Sequence, residues 1–371
     1  MKWPWHLAKQ PTSNKDAAAE SAFSTPLSQP RAPSRKIFPS GLKFFHKSES
    51  DAVDVIFVHG LTGDREKTWK TKKAVAPWPQ TLLPSHVHNT RILTFGYDAY
   101  VSDWQGMVSK NRIGNHSMNL LAAIATYREE DDTNDRPIIF VCHSLGGLVC
   151  EDALTTAQQR PENHLKQVLH CTRGIVFLGT PHHGSGLAHW TESLAKAIGV
   201  LKQTNPDILA VLKSDSEVLE RVQHGFHTMI RSRAQDRLPP IEITCFFEEL
   251  PLPGIGLVVP AHSATLPGYI LIGIRSNHMD MTKFENADDP GFKAVAGELR
   301  RWVKALARSE NVRLSHVESP HRDRTSGKGV DRTGGHQALQ ITQGSPQFGS
   351  TTVSGGSIFQ GNHVGGHGGI F

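Results

Sequence analysis

Six short runs of this 371-residue chain are apolar on both faces of a strand, and that pattern limits the fold more than any other feature. They lie at 53–58, 91–95, 137–142, 174–178, 241–247 and 269–274. A strand with one wet face alternates polar and apolar residues. Strands that are apolar throughout belong to a parallel sheet with helices packed on both sides. Helical stretches at 115–128, 145–159 and 290–307 separate the runs, and a long, mostly helical insertion occupies 184–236. The expected fold is α/β, a mostly parallel sheet with helices on both faces, in one body of about 250 residues. In the insertion, Leu194, Ile198, Leu201, Ile208, Leu212 and Leu219 suit helix faces turned to a core, which favours a packed excursion over a lid.

Charge divides the rest. The formal net charge is +5, but residues 1–50 hold eight basic and three acidic side chains, and residues 300–332 hold nine and four. Between them, 51–299 carry 23 basic against 28 acidic. A mildly acidic body between basic ends argues against a folded nucleic-acid-binding domain. The expected map is a disordered arm at 1–41, the folded body at 42–308, a basic flexible linker at 309–335, and an uncharged segment at 336–371. No run approaches 18 consecutive apolar residues, so no spanning helix is expected. The first residues lack a signal-type apolar core, and Asp16 and Glu20 oppose a mitochondrial presequence. Cys142, Cys150, Cys171 and Cys245 sit in or beside apolar segments and form no CxxC pair. They read as buried free thiols in a reducing, cytoplasmic setting. No HExxH-type spacing and no phosphate-binding loop occurs, so neither a metal nor another cofactor is expected.

The chemistry concentrates at Val141-Cys142-His143-Ser144-Leu145-Gly146-Gly147. It follows a buried strand and opens a helix, the setting of a nucleophile elbow that lifts a serine hydroxyl clear of the sheet. Gly146 fits the usual G-x-S-x-G pattern, and Cys142 departs from it. His59-Gly60-Leu61 follows an earlier strand, where the second oxyanion donor is expected, so the main-chain N–H groups of Leu61 and Leu145 form the candidate oxyanion hole. An acid and then a histidine must follow at later strand ends. Glu248 and Glu249 stand at the first such end, and His278 just past the second. Glu248 is assigned to orient His278, and His278 to take the proton from Ser144. One of the two glutamates is a solvated strand end, and Asp280 reads as a loop-capping residue.

Together, HGL, FVCHSLGGLV, GIVFLGTPHHGS, CFFEELP and SNHMDMTKF resemble the lipase/esterase-like α/β-hydrolases with a serine active site. The likeness covers about 42–308. It is strongest to the fungal SesB-type effectors associated with NOD-like receptors in programmed cell death. The resemblance implies ester or lipid substrates, Glu248 as the acid of the F-x-E segment, His278 as the histidine, and a G-T-P-H-x-G loop at 179–184 bordering the site. A catalytically lapsed signalling module, and a thioesterase or peptidase on the same fold, are the alternatives, since fold does not fix substrate.

Residues 333–371 contain 11 glycines and no charged side chain, and Ile341-Thr342-Gln343-Gly344 recurs as Ile358-Phe359-Gln360-Gly361. Low charge, β-branched residues and glutamine suit cross-β stacking. The tail resembles the amyloid signalling motifs of fungal effectors. That likeness implies a NOD-like receptor with a matching motif as partner, homotypic fibrils, and clustering of the enzyme. The basic linker also suits contact with an anionic membrane surface.

Overall fold

Seven strands form one sheet in the order β1-β3-β2-β4-β5-β6-β7. The strands are β1 (Gly41–His46), β2 (Val53–Val58), β3 (Thr90–Gly96), β4 (Ile138–His143), β5 (Thr172–Leu178), β6 (Glu242–Glu248) and β7 (Ile270–Ile274). The structure, a computed structural model, describes residues 40–317 except 48–49, 51, 62, 98–109, 183–189, 191, 195 and 198–215. The chain divides into units Met1–Ser319 and Pro320–Phe371, and every described residue belongs to the first. The arm expected at 1–41, apart from Ser40 and Gly41, the tail at 336–371 and the greater part of the linker lie outside the described residues.

Every strand pair is parallel except β1 with β3. The sequence places the start of the folded body at residue 42 and predicts no strand there. The reason is β1's place at the sheet edge: only Phe45 is buried, so it lacks the doubly apolar signature of the inner strands. Alternation along the strands feeds two cores. Ile56, Val58, Phe95, Ile138, Phe140 and Cys142 face one side, and Val55, Phe57, Ile92, Ile139, Val141 and Val176 the other.

The first core is covered by α1 (Lys110–Glu130), α2 (Leu145–Gln159), α3 (Asn163–Cys171) and α4 (Ser216–Ser232). The second is covered by α5 (Pro290–Val317), through Phe292, Val295 and Leu299, with Trp69 and Trp78 from the segment between β2 and β3. Helix α5 extends past residue 308 into the segment expected to be linker. Residues 309–317 contain no glycine or proline, so no residue there breaks the helix. In the insertion, Leu194 is buried and Leu219 lies on α4, whereas Ile198, Leu201, Ile208 and Leu212 lie outside the described residues.

This is the α/β-hydrolase arrangement, and its strand order explains where a site can form. The chain moves from β2 outward to β3, then returns across β2 to β4. Ligand crevices in open α/β sheets lie at such a reversal, beyond the carboxyl ends of the strands. His59-Gly60-Leu61 leaves β2 there, and Ser144 leaves β4 beside it.

Candidate active site

Ser144 adopts φ 51° and ψ −122°, a backbone strain that few non-glycine residues accept. The turn is held by Ser144 N–H donating to the Leu178 carbonyl at 2.9 Å and Gly147 N–H donating to the Ser144 carbonyl at 3.0 Å. Helix α2 begins at the next residue, so its amide end points at the serine. Two glycines make the close approach possible. A Cβ on Gly146 would lie 2.4 Å from the His59 carbonyl oxygen, and one on Gly60 would lie 2.8 Å from Ser144 Cβ. Cys142, the departure from the motif, is buried in β4 opposite Val58 and Phe177 and leaves the elbow intact. Leu61 and Leu145 are both buried, in the loop and helix turn that abut Ser144.

A chain of hydrogen bonds leads away from the serine. His278 Nε2 lies 3.0 Å from Ser144 Oγ, and His278 Nδ1 lies 2.9 Å from Glu248 Oε2. All three residues are about 1% exposed. The other Glu248 oxygen, Oε1, accepts the backbone N–H groups of Val258 at 2.6 Å and Val259 at 2.7 Å. Glu248 therefore has one oxygen pinned to the backbone and the other aimed at the imidazole. A carboxylate only accepts, so His278 Nδ1 carries the hydrogen and Nε2 is left to act as base toward the serine. Glu249, the neighbour on the opposite face of the pleat, is exposed. Asp280 pairs with Lys283 and accepts a bond from Asn277, a loop role away from the site.

Three features here were not read from the sequence. His143 Nε2 lies 3.0 Å from the His278 carbonyl oxygen, which can only accept, so His143 donates and fixes the backbone of the catalytic-type histidine. Burial, and then the neighbouring His278, push the His143 imidazole well below its usual value and keep it neutral. His59 stacks on Tyr97 with centroids 4.4 Å apart and rings 5° from parallel. Its Nδ1 faces the Gly60 carbonyl and its Nε2 accepts from Tyr97 N–H, while Tyr97 Oη donates to the His59 carbonyl at 2.7 Å. Burial drives His59 down to about 4. Thr180 Oγ1 donates to the Ser144 carbonyl at 3.2 Å. The motif H-G-L and the residue before the serine marked these places, but no spacing rule reveals which atoms meet.

Cys142, Cys150, Cys171 and Cys245 are free and buried. Among the described residues, no group of three or more His, Cys, Asp or Glu is placed to hold a metal ion, and no helix is long and apolar enough to cross a membrane.

Comparison with known proteins bears on the same body. The family model described as "Putative serine esterase (DUF676)" matches residues 49–212. Protein SERAC1 of Danio rerio is 30% identical over 261 residues, covering 64% of this chain and 37% of the relative. Protein SERAC1 of Homo sapiens is 29% identical over 266 residues, covering 66% and 38%. The chain thus spans less than two fifths of the length of these curated relatives. Among solved structures, Bacillus licheniformis lipase BlEst2 aligns with 70% of this chain and 97% of its own, at 18% identity and a TM-score of 0.43. Sheet order and serine elbow are those of the α/β-hydrolase fold, and residues 49–212 of the chain are similar to the putative serine esterase family.

Proposed function

We propose that the chain is a serine esterase that cleaves carboxylic esters, lipid-like ones among them, through Ser144, His278 and Glu248. One observation carries this reading: the hydrogen-bonded path from Ser144 Oγ to His278 to Glu248, at 3.0 and 2.9 Å. Ser144 Oγ attacks the ester carbonyl while His278 Nε2 takes its proton. The oxyanion is received by the N–H groups of Leu61 and Leu145. His278 then gives the proton to the departing alkoxide, leaving an acyl-serine. Water, deprotonated by His278, attacks the acyl carbon, and His278 returns that proton to Ser144 Oγ as the acid departs. Glu248 holds the imidazole in the required tautomer throughout.

The test is covalent labelling. A fluorophosphonate probe is expected to mark the wild-type chain and leave Ser144→Ala unmarked, with p-nitrophenyl and phospholipid esters hydrolysed only by the wild type. Labelling that persists in Ser144→Ala would remove the serine from its role.

Sequence pattern supports a second part of the proposal. Residues 336–371 act as a templating segment, able to form homotypic fibrils or to copy a matching motif on a NOD-like receptor, and so cluster the esterase. The enzyme then works in the cytoplasm and meets anionic membranes through the basic stretch before the tail. A peptide of residues 333–371 is expected to give thioflavin-positive, cross-β fibrils. A peptide that stays monomeric at high concentration would count against templating.

A further inference from the structure

The loop Gly179-Thr180-Pro181-His182-His183-Gly184 carries two histidines to which the sequence assigns no chemistry. His183 lies outside the described residues. His182 is buried, and three elements converge on it. Its Nδ1 is 3.0 Å from Oε1 of Glu151, on α2 beyond the nucleophile. Its Nε2 is 3.7 Å from Sγ of Cys245, on β6 three residues before Glu248. Its backbone N–H donates to the Ser263 carbonyl at 2.7 Å.

The loop that His182 closes reaches the reacting groups. Thr180 Oγ1 donates to the Ser144 carbonyl. The backbone of Gly179 lies against the His278 ring, so near that a Cβ there would stand 2.9 Å from His278 Nδ1. On its outer side, Gln223 Nε2 donates to the Pro181 carbonyl at 2.5 Å.

Glu151 is fully buried, and neither of its carboxyl oxygens nor His182 Nδ1 makes an aligned hydrogen bond. The contact is an ion pair by distance alone. Placing an acid in such a spot costs stability, because a buried charge needs a good partner. A purely structural pair would be better replaced by apolar side chains, so the arrangement calls for an explanation. Burial pulls the His182 imidazole down, but Cys245 and Glu151 outweigh it and hold it at about 10. The direction is opposite to that of His59 and His143, which are equally buried and pushed down.

We infer that His182, fixed by Glu151, is a positioning residue that sets the 179–182 loop against Ser144 and His278. One imidazole ties together the helix behind the nucleophile, the loop beside the histidine, and the strand that ends in the acid. The inference rests on the serine-esterase reading above.

Steady-state hydrolysis of a p-nitrophenyl ester by the full chain, with sites counted by fluorophosphonate titration, provides the test. Glu151→Gln and His182→Gln are each expected to lower kcat by about 10- to 100-fold with KM changed less than about twofold, the effect of a small misplacement. The double variant should fall no further than the worse single one, because the pair works as a unit. His224→Gln, an exposed histidine on α4, should match the wild type. Histidine ¹⁵N spectra at pH 8 should show His182 doubly protonated in the wild type and neutral in Glu151→Gln. Should either variant not fold, Thr180→Val removes the bond to Ser144 without touching the pair, and should lower kcat about 3- to 10-fold, as expected for one neutral hydrogen bond. If the wild type turns over and these variants keep its kcat while merely melting lower, His182 is a core residue and this inference alone fails. If the wild type neither labels nor turns over, the serine-esterase reading fails and takes the inference with it.

Discussion

At the amino ends of the parallel strands, Asp54 is surrounded by arginines. It accepts from Arg91 Nε and Nη2 at 2.7 and 2.8 Å, from Arg128 Nη1 at 2.7 Å, and from Arg136 Nη1 at 3.3 Å. Arg128 spends its second nitrogen on the carbonyls of Asn134 and Arg136, and Arg91 also reaches Asp131. At the carboxyl ends of the same strands, Glu248 is buried just as deeply but spends its oxygens on two backbone amides and one imidazole. The lower cluster is an ion network with fixed protons, which locks β2, β3 and α1 together. The upper one is a line of neutral or singly charged hydrogen bonds that ends on a hydroxyl. Equal burial thus serves two purposes: a saturated charge cluster resists change, and a linear relay can pass a proton.

Four experiments probe that contrast, beginning with the largest effect. Glu248→Gln keeps Oε1 on the Val258 and Val259 amides and turns an NH₂ toward His278 Nδ1. The imidazole must then carry its hydrogen on Nε2, where it cannot accept from Ser144. Turnover should drop by roughly 10³- to 10⁴-fold, as for the comparable change in serine proteases, with the melting temperature little altered. Asp54→Ala should do the reverse. It strands Arg91 and Arg128 in the interior and should cost about 3–5 kcal/mol in denaturant unfolding, with turnover per folded molecule retained.

The third experiment is a stability–pH profile. His59 is held at about 4 when folded against an ordinary 6.5, so the unfolded chain binds the extra proton first. Stability should therefore be lost as pH falls from about 6.5 to 4, by on the order of 3 kcal/mol from this residue alone. His143, also pushed down by burial, adds in the same direction. His182 has the opposite sign: its contribution is complete below 6.5 and fades as pH rises toward 10. His59→Gln should flatten the acid limb and leave the alkaline limb unchanged. The smallest effect belongs to Glu249→Gln. Because this side chain is exposed and lies on the other face of β6, turnover should stay within about twofold.

Much of this was legible in the residues. Runs of apolar β-branched side chains alternating with helical stretches announce buried parallel strands, because a strand covered by helices on both faces has no wet side to keep polar. The elbow and the His-Gly loop were legible for a related reason: sharp turns and close approaches require glycine, as Gly146 and Gly60 do where they meet. Less was visible where the pattern weakens. The edge strand β1 escaped because all its residues but Phe45 are only partly buried or exposed, helix α3 because its nine residues show little beyond local amphipathicity, and the far end of α5 because nothing but the lack of glycine and proline marks it.

The nature of the chain as a helix-covered parallel sheet with a serine at a strand-to-helix turn follows from local composition, since hydrophobic period and backbone sterics act over neighbouring residues. Partnership between distant atoms does not. Glu248 and Glu249 are chemically identical and adjacent, and only the pleat and the amides of Val258 and Val259 turn one inward to His278 and the other to solvent. Three buried histidines, His59, His143 and His182, look alike as letters. Burial pushes His59 and His143 down, while Cys245 and Glu151 hold the equally buried His182 up, and those encounters exist only once the strands are side by side.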